Sequence, residues 1–188
     1  MTTVCLVRHN ETDWNSEGRY QGREDIVLNA NGKIQADCCA NYLKQYEWDF
    51  IVTSPLKRAK ETAYIISEKI GTIDVLGISD FTERDYGAAS GLTVQERANK
   101  FPDGNIPGQE DWQHLKERSM NALINIVNKY EGMRIIIISH GGVINSILLV
   151  ISNGEIGTGK TKLKNACMNT IHYIDGCCEI ELYKETGS

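Results

Sequence analysis

Short apolar runs recur along the chain, and longer segments with a helical spacing of apolar residues separate them. Val4–Val7 is too short for a helix and contains β-branched residues, so it predicts a buried strand. The isoleucines of Arg134–Ser139 face both sides of a strand, which is typical of the centre of a parallel sheet. The predicted strands are Val4–Val7, Phe50–Val52, Thr72–Ile78, Arg134–Ser139, Thr170–Ile174 and Glu179–Tyr183.

The segments between these strands predict amphipathic helices. In the first of them, Ile34, Cys38 and Tyr42 recur at steps of four. Cys39 and Leu43 lie beside them, and we expect this apolar face to be buried. Ser54 suits an N-cap and Pro55 the first helical position, so a second helix is predicted to begin there. The remaining predicted helices are Thr93–Phe101, a long helix from Trp112 to Tyr130, and Gly141–Ser152. The long helix carries one apolar face, made of Trp112, Leu115, Leu123, Ile126 and Tyr130.

Strands and helices alternate in this prediction, which is the pattern of a parallel sheet whose crossovers are helices. The sequence therefore predicts an α/β fold, a three-layer α/β/α sandwich with a mostly parallel central sheet. A chain of 188 residues is long enough to bury a sizeable core, and we expect one domain over residues 1–188.

Charge and composition exclude several classes of function. The net charge of −5 opposes broad attraction to nucleic acid or to an anionic membrane. No apolar run approaches the ~20 residues of a membrane span, and no signal-peptide pattern is present, so we expect a cytoplasmic protein. The six cysteines lack zinc-site or redox-motif spacing, and we expect free thiols, with Cys5 and Cys38 as small core residues.

Chemically active residues follow three of the predicted elements. Arg8 and His9 come directly after the first strand, and His140 follows the fourth strand. Arg58 lies in the first turn of the helix after the second strand, where the positive helix end favours an anion. Because the carboxyl ends of parallel strands share one edge of a sheet, these side chains predict a phosphate pocket there. Gly141 has no side chain, so a ligand can approach the backbone closely at that position.

Three motifs carry a resemblance to a known family. Leu-Val-Arg-His-x-Glu-Thr-x-Trp-Asn near the N-terminus resembles the signature of the histidine phosphatase superfamily, which includes the cofactor-dependent phosphoglycerate mutases. Ser-Pro-Leu-x-Arg-Ala-x-x-Thr-Ala, from Ser54 to Ala63, resembles its arginine motif. Ser-His-Gly-Gly, from Ser139 to Gly142, resembles its second histidine motif. The resemblance implies a phosphoglycerate mutase-like fold.

The resemblance also implies roles for individual residues. His9 would be the nucleophile that accepts the phosphoryl group, and Glu83 would be the general acid that protonates the leaving alkoxide. Three side chains would bind the phosphoryl oxygens, and these are Arg8, Arg58 and His140. Asn15 and Gln21 match positions of accessory polar contacts. No metal ion and no other cofactor is implied.

The resemblance leaves the reaction type open between a phosphatase and a mutase. The acid motif Glu83–Gly87 resembles the mutase version, in which Arg84 and Tyr86 would hold a substrate carboxylate. The segment Leu92–Asp111, in contrast, is short and net acidic, and it contributes a single arginine. Such a cover would admit water to a phosphohistidine. We therefore expect a phosphatase acting on a small phosphorylated metabolite, with a phosphoglycerate mutase as the alternative.

Asn10 departs from the family signature, which usually has Gly after the nucleophilic histidine. If the family has Gly there because the backbone φ angle is positive, Asn is the least costly replacement. If it serves close approach, the Asn10 side chain would crowd the pocket, and a catalytically weak phospholigand-binding protein becomes an alternative.

A second motif belongs to a different class of protein. Gly154–Thr161 satisfies the pattern G-x-x-x-x-G-K-[ST] of a nucleotide-binding P-loop. A P-loop must follow a strand and open a helix, whereas the residues before Gly154 have a helical pattern. We expect this segment to be a loop near the rim of the phosphate pocket.

Overall fold

The protein, described by a computed structural model for residues 1–71 and 73–182, has a central six-stranded sheet with helices on both faces. The strands are β1 (Thr2–Arg8), β2 (Phe50–Thr53), β3 (Val75–Gly77), β4 (Arg134–Ser139), β5 (Met168–Ile174) and β6 (Cys177–Leu182). The α-helices are α1 (Asp13–Ser16), α2 (Ala30–Leu43), α3 (Lys57–Ile70), α4 (Val94–Lys100), α5 (Trp112–Lys129) and α6 (Gly141–Ile151). The predicted α/β/α architecture is therefore confirmed.

The sheet has the order β3-β2-β4-β1-β5-β6, and its first four strands are parallel. β5 and β6 form an antiparallel hairpin that pairs with β1 at one side of this parallel part. In the register of β1 and β4, Arg8 lies opposite Ser139, so both strands end at the same level. Thr53, the last residue of β2, lies opposite Ile138 of β4. Three loops thus leave one edge of the sheet side by side.

Side chains alternate between two buried layers along the central strands. Ile135 and Ile137 pack with α5 and α6, whereas Ile136 and Ile138 pack with α2 and α3. All four isoleucines are fully buried. Each such side chain contributes roughly 1.5–3 kcal/mol when it is removed from water, so β4 is a main source of stability on both faces.

The predicted apolar face of α2 is buried at Cys39 and Leu43, but the stripe predicted beside them is not. Ile34 is 64% exposed, Cys38 is also exposed, and Tyr42 is only half-buried. The buried residues of α2 are Gly32, Ala36, Cys39, Ala40 and Leu43. A Cβ atom on Gly32 would lie 2.1 Å from the Glu11 carbonyl oxygen. The α2 backbone can approach the Glu11 carbonyl oxygen this closely only at a residue without a side chain. Side-chain size therefore helps to decide which stripe of the helix is buried.

The predicted start of α3 is two residues early. Leu56 is the N-cap, in an extended conformation, and the helix begins at Lys57. Ser54 and Pro55 lie in the preceding turn, where the Ser54 hydroxyl contacts His140 at 2.8 Å. The Ser-Pro pair therefore lies just before the helix, and the serine side chain bonds to the residue that follows β4 and does not cap the helix.

Other element predictions differ from the structure at their ends. Trp112 opens α5 but is exposed, and Tyr130 is the residue after its last turn. The third strand is confined to Val75–Gly77, and Thr72 lies outside the described residues. Tyr183, predicted as the last strand residue, also lies outside them. Within the described part of the chain, no helix is long and apolar enough to cross a membrane.

Candidate active site

Two histidines lie side by side at the edge where β1 and β4 end. His9 follows β1, and its backbone N–H donates to the Ser139 carbonyl oxygen at 2.9 Å, which continues the pairing of the strands. His140 follows β4 as the N-cap of α6. The centroids of the two imidazole rings are 5.1 Å apart, with a tilt of 57° between the ring planes. Strand register alone therefore assembles this histidine pair.

The hydrogen bond of His9 determines which of its nitrogens can react. Nδ1 lies 2.7 Å from the carbonyl oxygen of Asn10. A carbonyl oxygen only accepts, so Nδ1 carries the proton and Nε2 has a free lone pair. Burial, together with the positive charges of Arg58 and Arg8, lowers the pKa of His9 well below its ordinary value. The ring is therefore neutral at pH 7, and Nε2 is available as a nucleophile.

His140 is oriented by the hydroxyl group of Ser54. Its Nε2 lies 2.8 Å from the Ser54 Oγ atom, and its Nδ1 is buried. Burial lowers the pKa of His140 as well, followed by the charge of Arg58. A neutral ring that accepts the Ser54 hydroxyl proton at Nε2 carries its own proton at Nδ1. Nδ1 is then a hydrogen-bond donor.

Carbonyl oxygens hold the two arginines in place. The Arg58 side chain, 1% exposed, donates from Nη1 to Glu24 and from Nη2 to Gly22, both at 2.7 Å. Arg8 donates from Nη1 to the carbonyl oxygen of Leu163. Burial lowers the pKa of Arg58 to about 10, so this guanidinium stays charged at neutral pH. The two groups are thus rigid positive charges beside the histidine pair.

Three buried N–H groups of this cluster have no hydrogen-bond partner among the described residues. They are Nε of Arg8, Nε of Arg58 and Nδ1 of His140. A buried donor without an acceptor costs about 1–3 kcal/mol. A ligand with several acceptor oxygens, such as a phosphoryl group, is the kind of partner that would relieve this cost.

Glu83 approaches the same edge from the loop after β3. Its Oε1 accepts from the Arg84 N–H at 2.8 Å, and its Oε2 accepts from the Gly142 N–H at 3.2 Å. A Cβ atom at position 142 would lie 2.5 Å from Oε1, so glycine is needed for this approach. The Glu83 carboxyl is therefore held at the N-terminus of α6, next to His140.

A cavity of about 780 Å³ opens over this cluster. Arg8, Glu83 and Gly141 contribute to its wall, and His9, His140 and Arg58 lie buried behind them. Aromatic and aliphatic side chains form another part of the wall, and these are Tyr20, Tyr86, Val94 and Trp112. The cavity has room for a phosphoryl group and for the alcohol that carries it.

The loop between α6 and β5 supplies residues that the sequence interpretation missed. Asn165 donates from Nδ2 to the His9 carbonyl oxygen at 2.9 Å and to Asn15 Oδ1 at 3.3 Å. Lys162 and Lys164 line the cavity from the same loop. The available signal was the alternation of lysines from position 160 to 164, which is unusual in a chain of net charge −5.

The accessory residues predicted from the sequence are placed differently from one another. Asn15 and Tyr86 line the cavity, whereas Gln21 is buried and is not part of its wall. Arg84 does not line the cavity either. Its Nε donates to the Glu110 carbonyl oxygen at 2.7 Å, and its guanidinium lies 3.8 Å from the centre of the Trp112 ring. The structure thus places Tyr86 on the cavity wall, whereas the Arg84 guanidinium is engaged by Glu110 and Trp112 and is not part of that wall.

Asn10 neither occupies a positive φ angle nor crowds the cavity. Among the described non-glycine residues, positive φ angles occur at Asn153, Ala166 and Asp175. The Asn10 side chain is fully buried, and its Nδ2 points to the Cys39 sulfur at 3.9 Å. Neither reason considered for a glycine after the nucleophile applies at this position.

The P-loop interpretation of Gly154–Thr161 is excluded by its surroundings. The segment follows helix α6 rather than a strand, and it consists of turns. Thr158, Gly159 and Thr161 line the cavity, so the predicted position at the pocket rim is confirmed. In the described part of the chain, no group of three or more histidine, cysteine or acidic side chains could hold a metal ion.

The sequence matches the family model of the histidine phosphatase superfamily (branch 1) over residues 4–186. The chain belongs to this superfamily. The uncharacterized phosphatase PhoE of Bacillus subtilis (strain 168) is 43% identical over 183 residues, which cover 97% of this chain and 94% of that protein. A metal-independent phosphoserine phosphatase of Arabidopsis thaliana is 38% identical over 188 residues, covering 93% of this chain and 78% of that protein.

Structural similarity agrees with the family. The solved structure of Bacillus stearothermophilus YhfR has a TM-score of 0.90 at 25% identity, and the match covers 97% of this chain and 96% of that one. Proteins of several Salmonella strains named as probable phosphoglycerate mutase GpmB are more distant, at 32% identity over 92% of this chain and 86% of theirs. The family resemblance of the sequence motifs is thereby confirmed.

Proposed function

We propose that this protein is a phosphatase that hydrolyses small phosphomonoesters through a phosphohistidine on His9, without a metal ion. The observation that carries the proposal is the hydrogen bond from His9 Nδ1 to the Asn10 carbonyl oxygen. It leaves Nε2 as the unprotonated nitrogen of a neutral ring, within a cluster whose buried N–H groups lack acceptors. A nucleophile and an anion-binding cluster thus occur together.

In the first step, Nε2 of His9 attacks the phosphorus atom, and the bond from phosphorus to the ester oxygen breaks. Glu83, in its protonated form, gives its proton to that leaving oxygen. Arg8, Arg58 and His140 donate hydrogen bonds to the phosphoryl oxygens, whose charge is spread in the transition state. The products of this step are the free alcohol and phosphohistidine.

In the second step, water attacks the phosphohistidine. The Glu83 carboxylate takes a proton from the attacking water, the nitrogen–phosphorus bond breaks, and inorganic phosphate leaves with the His9 ring again neutral. Glu83 lies on the cavity wall, where it can serve both steps. Two guanidinium groups supply the positive charge that a divalent cation supplies in metal-dependent phosphatases.

Hydrolysis is favoured over mutase chemistry by the surroundings of the cavity. Arg84, which would hold a substrate carboxylate in a mutase, is bonded to Glu110 and stacked on Trp112. Val94 and Trp112 line the cavity and are 65% and 44% exposed, so this part of its wall leaves the cavity open to water. The Arabidopsis relative, named a phosphoserine phosphatase, supports a small phosphorylated metabolite as the substrate.

A rapid-quench experiment in EDTA tests this proposal. Incubation with excess O-phosphoserine or β-glycerophosphate should release inorganic phosphate, and peptide mapping should find an acid-labile phosphoryl group on His9. His9→Ala should abolish turnover, whereas His172→Ala should retain it. His172 is a matched control because it contacts Thr3 and Glu181 on the sheet, at 3.2 and 3.1 Å. Full activity in His9→Ala would refute the mechanism.

The mutase alternative is tested with 3-phosphoglycerate and a trace of 2,3-bisphosphoglycerate. We expect either slow release of inorganic phosphate or no reaction. Rapid interconversion with 2-phosphoglycerate, without phosphate release, would show that the mutase interpretation of the Glu83–Gly87 motif is correct.

A further inference from the structure

The segment that carries Glu83 has little regular structure of its own. We refer to residues 79–85 as the acid segment. It begins with a single 3₁₀ turn, Ser79–Phe81, and Phe81 is fully buried in the core. The Ser139 hydroxyl donates to the Phe81 carbonyl oxygen at 2.8 Å. These contacts fix the start of the acid segment, but the position of the Glu83 carboxyl depends on what holds the residues after Phe81.

Arg118 on α5 uses all of its N–H groups to bind the acid segment and Glu110. Nη1 donates to the carbonyl oxygens of Asp80 and Thr82 at 2.6 and 2.7 Å. Nη2 donates to the Glu83 carbonyl oxygen at 3.2 Å and to Glu110 Oε2 at 2.9 Å. Nε donates to Glu110 Oε1 at 2.7 Å. A guanidinium has five N–H donors, and all five are used here.

Glu110 holds the other end of the acid segment. Its Oε2 accepts from the Asp85 N–H at 3.2 Å, and its own backbone N–H donates to the Asp85 carbonyl oxygen at 2.9 Å. Its carbonyl oxygen accepts from Arg84 Nε at 2.7 Å. Burial would raise the pKa of the Glu110 carboxyl, but the hydrogen bonds and charge of Arg118 outweigh it and lower the pKa to about 2. Glu110 is thus ionised at every pH at which the enzyme would work.

We propose that Arg118 and Glu110 form a clamp that positions the Glu83 carboxyl for proton transfer to the leaving group. Neither residue contributes to the cavity wall formed by the described residues, so the clamp acts through the backbone of the acid segment. Both side chains are nearly buried, at 11% and 5% exposure. This inference rests on the proposed role of Glu83 as the general acid.

The geometry explains why arginine is required at position 118. The planar guanidinium reaches three backbone carbonyl oxygens and both carboxylate oxygens of Glu110 at once. A lysine has the same charge, but its three donors sit on one nitrogen atom and cannot span these acceptors. Arg118→Lys should therefore keep the charge balance of the buried pair and lose the positioning. It also serves as the second variant if Arg118→Met does not fold.

The experiment compares two substrates that differ in their need for an acid. An alkyl phosphate such as O-phosphoserine needs a proton on its leaving oxygen, whereas p-nitrophenyl phosphate hardly does. Arg118→Lys and Arg118→Met should lower kcat/KM, which reports the transfer to His9 and not the later attack by water, about 10- to 100-fold on the alkyl ester. The loss in kcat/KM on the aryl ester should be less than several-fold. Competitive inhibition by inorganic phosphate should stay within about threefold, because the phosphate-binding groups are untouched. Lys116→Met, on the same helix, is the control for the loss of one positive charge.

The double variants Glu83→Gln/Arg118→Lys and Glu83→Gln/Arg118→Met separate positioning from a general structural role. Once the acid is removed, loss of the clamp should have no further selective effect on the alkyl ester. Equal losses on both substrates, or losses that multiply with that of Glu83→Gln, would overturn the inference. If Glu83→Gln alone shows no preference between the two esters, the acid assignment itself is wrong and the inference fails with it. Thermal unfolding of each variant identifies those that do not fold.

Discussion

Replacement of Gly142 by alanine should push the Glu83 carboxyl out of its position. The new Cβ atom would lie 2.5 Å from Glu83 Oε1, a separation that must open to at least 3.0 Å. Because the α6 backbone is fixed between β4 and the core, the carboxyl must make most of this shift. The shift would also weaken the hydrogen bond that the Glu83 carboxyl accepts from the Gly142 N–H, which is 3.2 Å long.

A displacement of this size sets the expected effect on the rate. A catalytic group misplaced by about 1 Å costs about 100-fold, so a shift of half that size should cost roughly 10-fold. We expect a loss of about 10-fold in kcat/KM for alkyl phosphates, equivalent to about 1.4 kcal/mol in the activation free energy of the step in which the leaving group departs. Aryl phosphates, which do not need the acid, should lose less than about threefold.

Gly141→Ala is the matched comparison. A Cβ atom at position 141 would lie 3.5 Å from Arg8 Nε, which is an ordinary van der Waals distance. Any loss in this variant acts on phosphate binding and should be similar for both substrate types. Steady-state kinetics on O-phosphoserine and p-nitrophenyl phosphate measures the difference. If Gly142→Ala slowed both substrates equally, the assignment of Gly142 to Glu83 placement would be refuted.

Three further results are expected. Lys162→Ala and Lys164→Ala should raise KM for phosphomonoesters with a second anionic group and leave KM for p-nitrophenyl phosphate nearly unchanged. An equal change in KM for the two types of substrate would contradict this expectation. The histidine pair stays neutral in the folded state but takes up protons near pH 6.5 when the chain is unfolded. The free energy of unfolding should therefore fall below that pH, by up to about 1.4 kcal/mol per histidine and pH unit. Urea unfolding at several pH values measures this effect. A thiol reagent should modify the exposed Cys38 rapidly, whereas its neighbour Cys39 should react only on unfolding, since burial raises its pKa to about 11.

Strand positions and the residues at their ends could be predicted from the sequence. The apolar runs of β1 and β4 identify two parallel strands, and polar residues mark where each one stops. Once these strands pair in register, His9 and His140 are neighbours without any further information. The central part of the site follows in this way from local pattern and from the geometry of a parallel sheet.

Contacts between distant segments could not be predicted in this way. Asn165 reaches the His9 carbonyl oxygen across 156 positions of the chain, and Arg118 reaches the Glu83 backbone across 35. Neither contact leaves a periodic signal, because a single polar side chain on a loop or helix has the same local pattern whether it binds a backbone or faces water. The buried face of α2 was predicted only in part, at Cys39 and Leu43, for a related reason. Spacing reveals that a helix has a buried face, but the close approach of Glu11 to Gly32 selects which face it is.

The chemistry of the site follows from how its charges are arranged before a substrate binds. The histidine pair is neutral because burial, followed by the positive charges of Arg58 and Arg8, lowers the pKa of both rings. In the proposed mechanism, this neutrality makes Nε2 of His9 the nucleophile. When Nε2 bonds to phosphorus, the ring keeps its Nδ1 proton and becomes positively charged. The Asn10 carbonyl oxygen stabilises that charge, while the same arginines oppose it and attract the phosphoryl oxygens instead. In the proposed mechanism, the arrangement that promotes formation of a phosphohistidine therefore also keeps the nitrogen–phosphorus bond weak, so that attack by water would complete the reaction.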